Sequence, residues 1–245
     1  MSGAGRPAFY ALRPGGWRDY VTLLHPPYTL WHLSYVALGA ALAQTMKWSL
    51  LGWTVLAFLL AMGVGAHALD ELNGRPLRTE IPSRVLGGLA ACSVAGACTI
   101  GVIVAADSTL WLLAFVVFGA ALVVAYNLEL FGGALHSDLW FAAAWGAFPV
   151  LTAYYASAER IRGEAAAAAA FAFLTSLAQR RLSTQARLVR RRATAVEGRL
   201  TLAGGETLAV DADLLARAPE VALKLLAAAM PVLAGALLLA RAGSL

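Results

Sequence analysis

Residues 48–82 read WSLLGWTVLAFLLAMGVGAHALDELNGRPLRTEIP, and the change of character inside this stretch decides the fold. Up to Ala68 it holds no Asp, Glu, Lys or Arg. An uncharged run of about 20 residues is what a helix needs to cross a hydrocarbon layer of about 30 Å. Immediately afterwards come Asp70, Glu71, Arg75, Arg78 and Glu80. An apolar rod that ends in an ionic loop is the repeating unit of a polytopic helical membrane protein.

The remainder of the 245-residue chain has the same character. It is 60% hydrophobic and 13% charged, with a mean hydropathy of +0.69. Soluble domains carry about 25% charged residues. Composition therefore excludes a soluble enzyme, a disordered chain and a nucleic-acid-binding module. The apolar stretches are continuous and rich in Ala and Leu, which favours helices over the alternating strands of a closed barrel. The expected fold class is all-α: a transmembrane bundle of about seven spans with a small helix and β-hairpin insertion. The spans are Tyr28–Thr45, Trp48–Ala68, Val85–Ala106, Leu110–Leu128, Leu139–Ala156, Ala165–Gln179 and Glu220–Ala240. The sixth is short and only mildly apolar, so it is either tilted or continues into Arg180–Arg192. Pro149 predicts a kink in the fifth. Cys92 and Cys98 are six positions apart in one helix, too far round for a disulfide.

Four segments follow from this reading. Residues 1–27 lack the apolar core of a signal peptide. Within them Trp17, Tyr20, Val21 and Leu24 recur at helical spacing, which predicts a short helix lying in the interface. Residues 28–179 form the first six spans, and residues 219–245 the last. Between them, residues 180–218 are basic, and Arg199–Val210 alternates around Gly204-Gly205 as a hairpin does. The hairpin is expected to dock on the mouth of the bundle, as a lid or as a membrane-surface anchor. Lys and Arg set orientation. They crowd the N-terminal tail, the span 2–3 loop and the span 6–7 loop, whereas the opposite side holds Lys47, Arg160, Arg162 and Arg241. The N-terminus is therefore expected in the cytoplasm and the C-terminus outside, in a bacterial inner membrane. The net charge of +5 reports this topology and not a nucleic-acid partner.

The rare polar residues gather on the arginine-rich side. His25 and His32 flank the entry to the first span, His67 closes the second, and His136 lies between the fourth and fifth. In the first cluster His67, Asp70 and Glu71 share a helix face, with Arg75 and Arg78 next in line. Carboxylates holding a divalent ion beside arginines bind phosphate oxygens. In the second cluster Tyr126, Asn127, Glu129, His136 and Asp138 follow the fourth span, with no Lys or Arg among them. Oxygen ligands suit Mg²⁺, and the histidines shift preference toward Mn²⁺ or Zn²⁺. The plainer alternatives are a polar helix end with surface ion pairs, and a Gly-Gly turn capped by Asp138.

Over roughly residues 20–156 this layout resembles the UbiA-type superfamily of intramembrane prenyltransferases. The resemblance rests on the Asp70…Arg78…Ile81-Pro82 loop, on Tyr126-Asn127, and on Gly146 with Pro149. The positions of the family's first aspartate motif read Ala66, His67, Asp70 and Gly74, and Glu129 and Asp138 stand in for the second. The resemblance implies an enzyme that transfers an isoprenyl group from a polyprenyl diphosphate to a hydrophobic aromatic or lipid acceptor, in contact with membrane lipid. It implies metal at Asp70, Glu71, Glu129 and Asp138, substrate binding by Arg75, Arg78, Tyr126 and Asn127, and catalysis by His67 with Asp70 and Glu71. Trp31, Tyr35, Tyr126, Trp145 and Tyr154 are candidates for lining the cavity and facing an allylic cation. Two other readings stand beside this one. The first is a metal-dependent membrane enzyme of different chemistry on the same scaffold. The second is a non-catalytic lipid- or quinone-binding protein.

Overall fold

The computed structural model describes residues 8–243. It is 74% helical with one two-stranded sheet, in agreement with the expected all-α class. The helices are α1 (Trp17–Leu23), α2 (Pro26–Leu42), α3 (Trp48–Leu72), α4 (Ser83–Asp107), α5 (Leu112–Asn127), α6 (residues 138–158), α7 (residues 163–192) and α8 (Ala212–Ala242). A long helix stands at each of the seven apolar stretches. Three of them, α3, α4 and α8, are long and apolar enough to cross a membrane.

Helix α2 is the hub. It packs most extensively against α6 and α8, and Trp31, Tyr35 and Val36 on successive turns are fully buried. A helix that is apolar all round belongs in the interior of a bundle. Two glycines permit the closest approaches. A Cβ on Gly39 of α2 would strike the backbone carbonyl of Val150 on α6, and one on Gly146 of α6 would strike that of Ala172 on α7.

Helix α7 follows one of the two expectations for the sixth stretch and does not stop at Gln179. It runs on to Arg192, with its last turn widened over Leu188–Arg192. The first third of the segment expected outside the bundle is thus part of a bundle helix. Helix α8 begins at Ala212, eight residues ahead of Glu220, because Asp211 caps it by accepting from the Leu214 amide at 2.7 Å. Arg190 then ties this early turn to α7 through Asp213 and Glu220. The hairpin forms as expected, pairing Arg199 with Ala209, Leu200 with Leu208 and Thr201 with Thr207. Both strands are exposed along their length, so the hairpin does not dock on the bundle mouth.

Two of the helices are irregular where polar residues meet them. α3 passes through a wider π-helical stretch at Leu59–Ala66, and α6 through another at Ala142–Ala147, just ahead of Pro149. Wider turns of this kind recur at functional sites.

An added methyl tests the close crossings. Alanine normally improves a helix interior relative to glycine, but Gly39→Ala and Gly146→Ala should each destabilise the protein by about 1–3 kcal/mol through overpacking. Gly52→Ala, which meets nothing within 4 Å, should be neutral or stabilising. Thermal unfolding in detergent micelles, followed by circular dichroism, ranks the three.

Candidate functional site

All four histidines of the chain line one cavity of about 180 Å³. It lies where the α3–α4 loop, the α5–α6 loop, the N-terminal segment and the end of α7 meet, and it also takes in Tyr10, Tyr28, Asp70, Tyr126, Asn127, Trp145 and Gln179.

Three of the histidines are set by backbone carbonyls. Pro149 has no N–H to offer the carbonyl of Trp145 four residues earlier, and His32 Nδ1 meets that carbonyl at 2.8 Å. His67 Nδ1 meets the carbonyl of Gly63, inside the π-helical stretch of α3, at 3.0 Å. His136 Nδ1 meets the carbonyl of Tyr126 in the last turn of α5 at 3.1 Å. A carbonyl only accepts, so each Nδ1 carries the hydrogen and each Nε2 keeps its lone pair. At His136 the assignment has a second support: Arg180, which can only donate, lies 3.3 Å from Nε2.

His25 is different. Its backbone is left-handed (φ 45°, ψ 55°) directly ahead of Pro26. Both features disfavour this conformation for a residue with a side chain. Its ring lies 4.0 Å from that of His67 and 5.1 Å from that of Tyr10. Its Nε2 is buried without a hydrogen-bond partner. The two other buried side-chain atoms left unpartnered among the described residues are the Tyr126 hydroxyl and Gln179 Oε1. Both residues line the same cavity. Buried polar atoms are rarely orphaned, and here every instance falls in one place.

The expected site residues divide into two groups. His67, Asp70, Tyr126 and Asn127 reach the cavity; Glu71, Arg75, Arg78, Glu129 and Asp138 do not line it. Glu71 is fully buried. Its carboxylate accepts from the Leu77 amide at 2.9 Å and from the Thr79 amide and hydroxyl at 2.8 Å each. It holds the α3–α4 loop in shape. Arg75 braces the same loop, donating to the carbonyls of Thr79 and Ile81 and to the Ser83 hydroxyl. Arg78 is exposed. Asp138 is taken by Arg180 and Arg181 at 3.2 and 3.1 Å. Glu129 is about half exposed and 3.9 Å from His136.

The fit to divalent metal follows from these placements. Asp70 is the one carboxylate of the expected four that reaches the cavity, and among the described residues no three His, Cys, Asp or Glu side chains are placed to share an ion. The donor set does not fit the pair of ions that the UbiA-type motifs imply. Of the aromatic candidates, Tyr126 and Trp145 line the cavity, whereas Trp31, Tyr35 and Tyr154 are core residues.

The sequence reading missed the contribution of α7. Gln179, Arg180, Ser183, Ala186, Arg187, Arg190 and Arg191 all face the cavity. Their spacing of three and four is one helix face, and that periodicity was legible in the sequence. In the sequence these arginines read as markers of topology and as part of a basic membrane-surface segment.

A second cavity, of about 110 Å³, is lined almost wholly by apolar side chains of α3, α4, α5 and α6, including Phe58, Met62, Val94, Val116 and Phe148. Trp145 is common to both cavities. Its ring stacks on Phe141 at 5.6 Å and lies 4.5 Å from Tyr126. No family model, curated protein or solved structure matches this chain.

Burial, followed by His67, Arg191 and Arg187, holds His25 well below the usual histidine range. In the unfolded chain it titrates near 6.5. The folded state therefore binds fewer protons below that pH. Stability is complete above about pH 6.5 and falls as pH drops toward the folded pKa, by at most about 1.4 kcal/mol per pH unit for this one group. His25→Asn should flatten that slope between pH 7 and 5, as read from unfolding midpoints across the range.

Proposed function

We propose that the protein is a seven-span, UbiA-like enzyme of a bacterial inner membrane that transfers an isoprenyl group from an isoprenyl diphosphate to a hydrophobic acceptor. Its arginine-rich end faces the cytoplasm. The observation that carries this reading is the pair of cavities meeting at Trp145, one polar and basic, the other apolar. Such a pair suits a ligand with a charged head and a hydrocarbon tail.

In this reading the diphosphate occupies the polar cavity and the chain runs into the apolar one. Carbon 1 then lies beside Trp145. The C–O bond breaks with its electron pair leaving on the diphosphate, and the ring faces of Trp145 and Tyr126 stabilise the allylic cation. An electron pair of the acceptor forms the new bond. The acceptor's proton passes to an imidazole lone pair, for which His67 Nε2 is the candidate. The motif resemblance and the shared end of the two loops support the assignment.

The extent of the apolar cavity along α6 sets how much of the chain it can cover. Along α6 it runs from Trp145 to Ala156, about 16 Å at 1.5 Å per residue. An isoprene unit adds four chain bonds, roughly 5 Å by scaling from the three-bond peptide unit. Three units fill it.

A non-catalytic quinone binder is the second reading, favoured by the unpartnered Tyr126 hydroxyl, which would donate to a quinone carbonyl. Release of pyrophosphate from an isoprenyl diphosphate separates the two.

In nanodiscs, farnesyl diphosphate should bind at least tenfold more tightly than either pyrophosphate or farnesol. Lengthening the chain beyond three units should add little. Ala120→Trp, in the wall of the apolar cavity, should remove the contribution of the chain and leave pyrophosphate binding unchanged. Equal affinity for farnesol and farnesyl diphosphate would rule out the reading.

A further inference from the structure

The cavity holds more positive charge than its own carboxylates answer. Arg180, Arg187, Arg190 and Arg191 line it, against Asp70 and Glu220. Arg180, Arg190 and Arg191 each have an interaction partner. Arg190 is bound by Glu220 through two contacts at 2.9 and 3.1 Å and by Asp213 at 2.6 Å. Arg180 is held by Asp138 and lies 5.5 Å over the Phe141 ring. Arg187 has no carboxylate within ion-pair reach; its side-chain hydrogen bond goes to Thr184 Oγ1 on its own helix, at 3.1 Å.

Arg187 is half-buried, and burial with the nearby charges of Arg180 and Arg191 holds it below the usual arginine range. A half-buried guanidinium placed against like charge, with no carboxylate at ion-pair distance, is electrostatically unfavourable. An anion in the cavity would reverse the sign of that interaction. Two further groups point to a ligand. The Tyr126 hydroxyl and the Gln179 amide are each more than nine-tenths buried. Each presents an unpartnered polar atom in the cavity that Arg187 lines. A hydroxyl donates to a phosphate oxygen, and a primary amide does so after rotation of its end.

We infer that Arg187 is the centre of a phosphate-binding site on α7 which, with Tyr126 and Gln179, holds a diphosphate directly, without a bridging divalent ion. This rests on the reading of the protein as an isoprenyl-diphosphate enzyme, and it accounts for the dispersal of Glu71, Glu129 and Asp138 to other duties. Guanidinium forks suit phosphate oxygens because they offer two parallel donors.

The test uses the full chain in nanodiscs, with inorganic pyrophosphate, farnesyl diphosphate and farnesol as probes, in EDTA and then in millimolar Mg²⁺. The expected result is pyrophosphate binding in EDTA that changes less than threefold on adding Mg²⁺. Arg187→Gln should weaken it at least tenfold, and Arg187→Lys by less. Arg181→Gln, on an exposed arginine outside the cavity, should leave it unchanged. Pyrophosphate that binds only with Mg²⁺, or equally to the Arg187→Gln protein, overturns the inference. The two proposals fail separately. Arg187-dependent pyrophosphate binding with no gain from the farnesyl chain removes the amphiphile reading and keeps the anion site. A gain from the chain that is indifferent to Arg187 removes the anion site and keeps the amphiphile reading.

Discussion

A proline that withholds one hydrogen bond organises the site. Pro149 cannot donate to the carbonyl of Trp145, and an unsatisfied carbonyl inside a packed bundle costs on the order of 1–3 kcal/mol. His32, reaching across from α2, supplies the missing hydrogen. This one contact joins the hub helix to α6, fixes the imidazole tautomer, and holds in place the residue whose indole walls both cavities. Histidine rings also meet the carbonyl of Gly63, through His67, and that of Tyr126, through His136. In each case the contact is made by Nδ1.

The carboxylates show the opposite arrangement. Chemically they resemble the ligands of a metal centre, yet most are committed to architecture. Glu71 is the clearest case. Three donors from the loop it precedes converge on its two oxygens, so this buried carboxylate is committed to the shape of the loop. Asp19 does similar work from the other side, accepting from the Gly15 and Glu80 amides and thereby tying the N-terminal segment to the α3–α4 loop. Asp70, one residue ahead of Glu71, faces the cavity.

Much of the framework was legible in the sequence, for physical reasons. The all-α class follows from uncharged runs too long for strands, and the hairpin from alternation around Gly204-Gly205. Residue placement was legible only where it is local. His67 and Asp70 share a helix face by spacing alone, and both reach the cavity. What separated Asp70 from Glu71 was the path of the loop beyond them, with left-handed backbone at Gly74, Arg75 and Arg78. No periodicity encodes that path. The meeting of His25, His32, His67 and His136 from four places in the chain is likewise tertiary. The α7 arginines are a separate case, since their spacing was readable, but arginine density also reports membrane orientation and that explanation was sufficient on its own.

The two meanings of those arginines are compatible because they fall on different positions of one helix. Arg181 and Arg192 are exposed, whereas Arg180, Arg187, Arg190 and Arg191 line the cavity. A basic helix end can turn part of its charge inward, provided that something negative meets it there. Glu220 and Asp138 meet two of the four. Arg187 meets no carboxylate at ion-pair distance among the described residues, and it lines the cavity with a left-handed histidine and the unpartnered groups of Tyr126 and Gln179. Strain, orphaned polarity and uncompensated charge are each unfavourable when isolated. One polar ligand in the cavity would relieve the last two together.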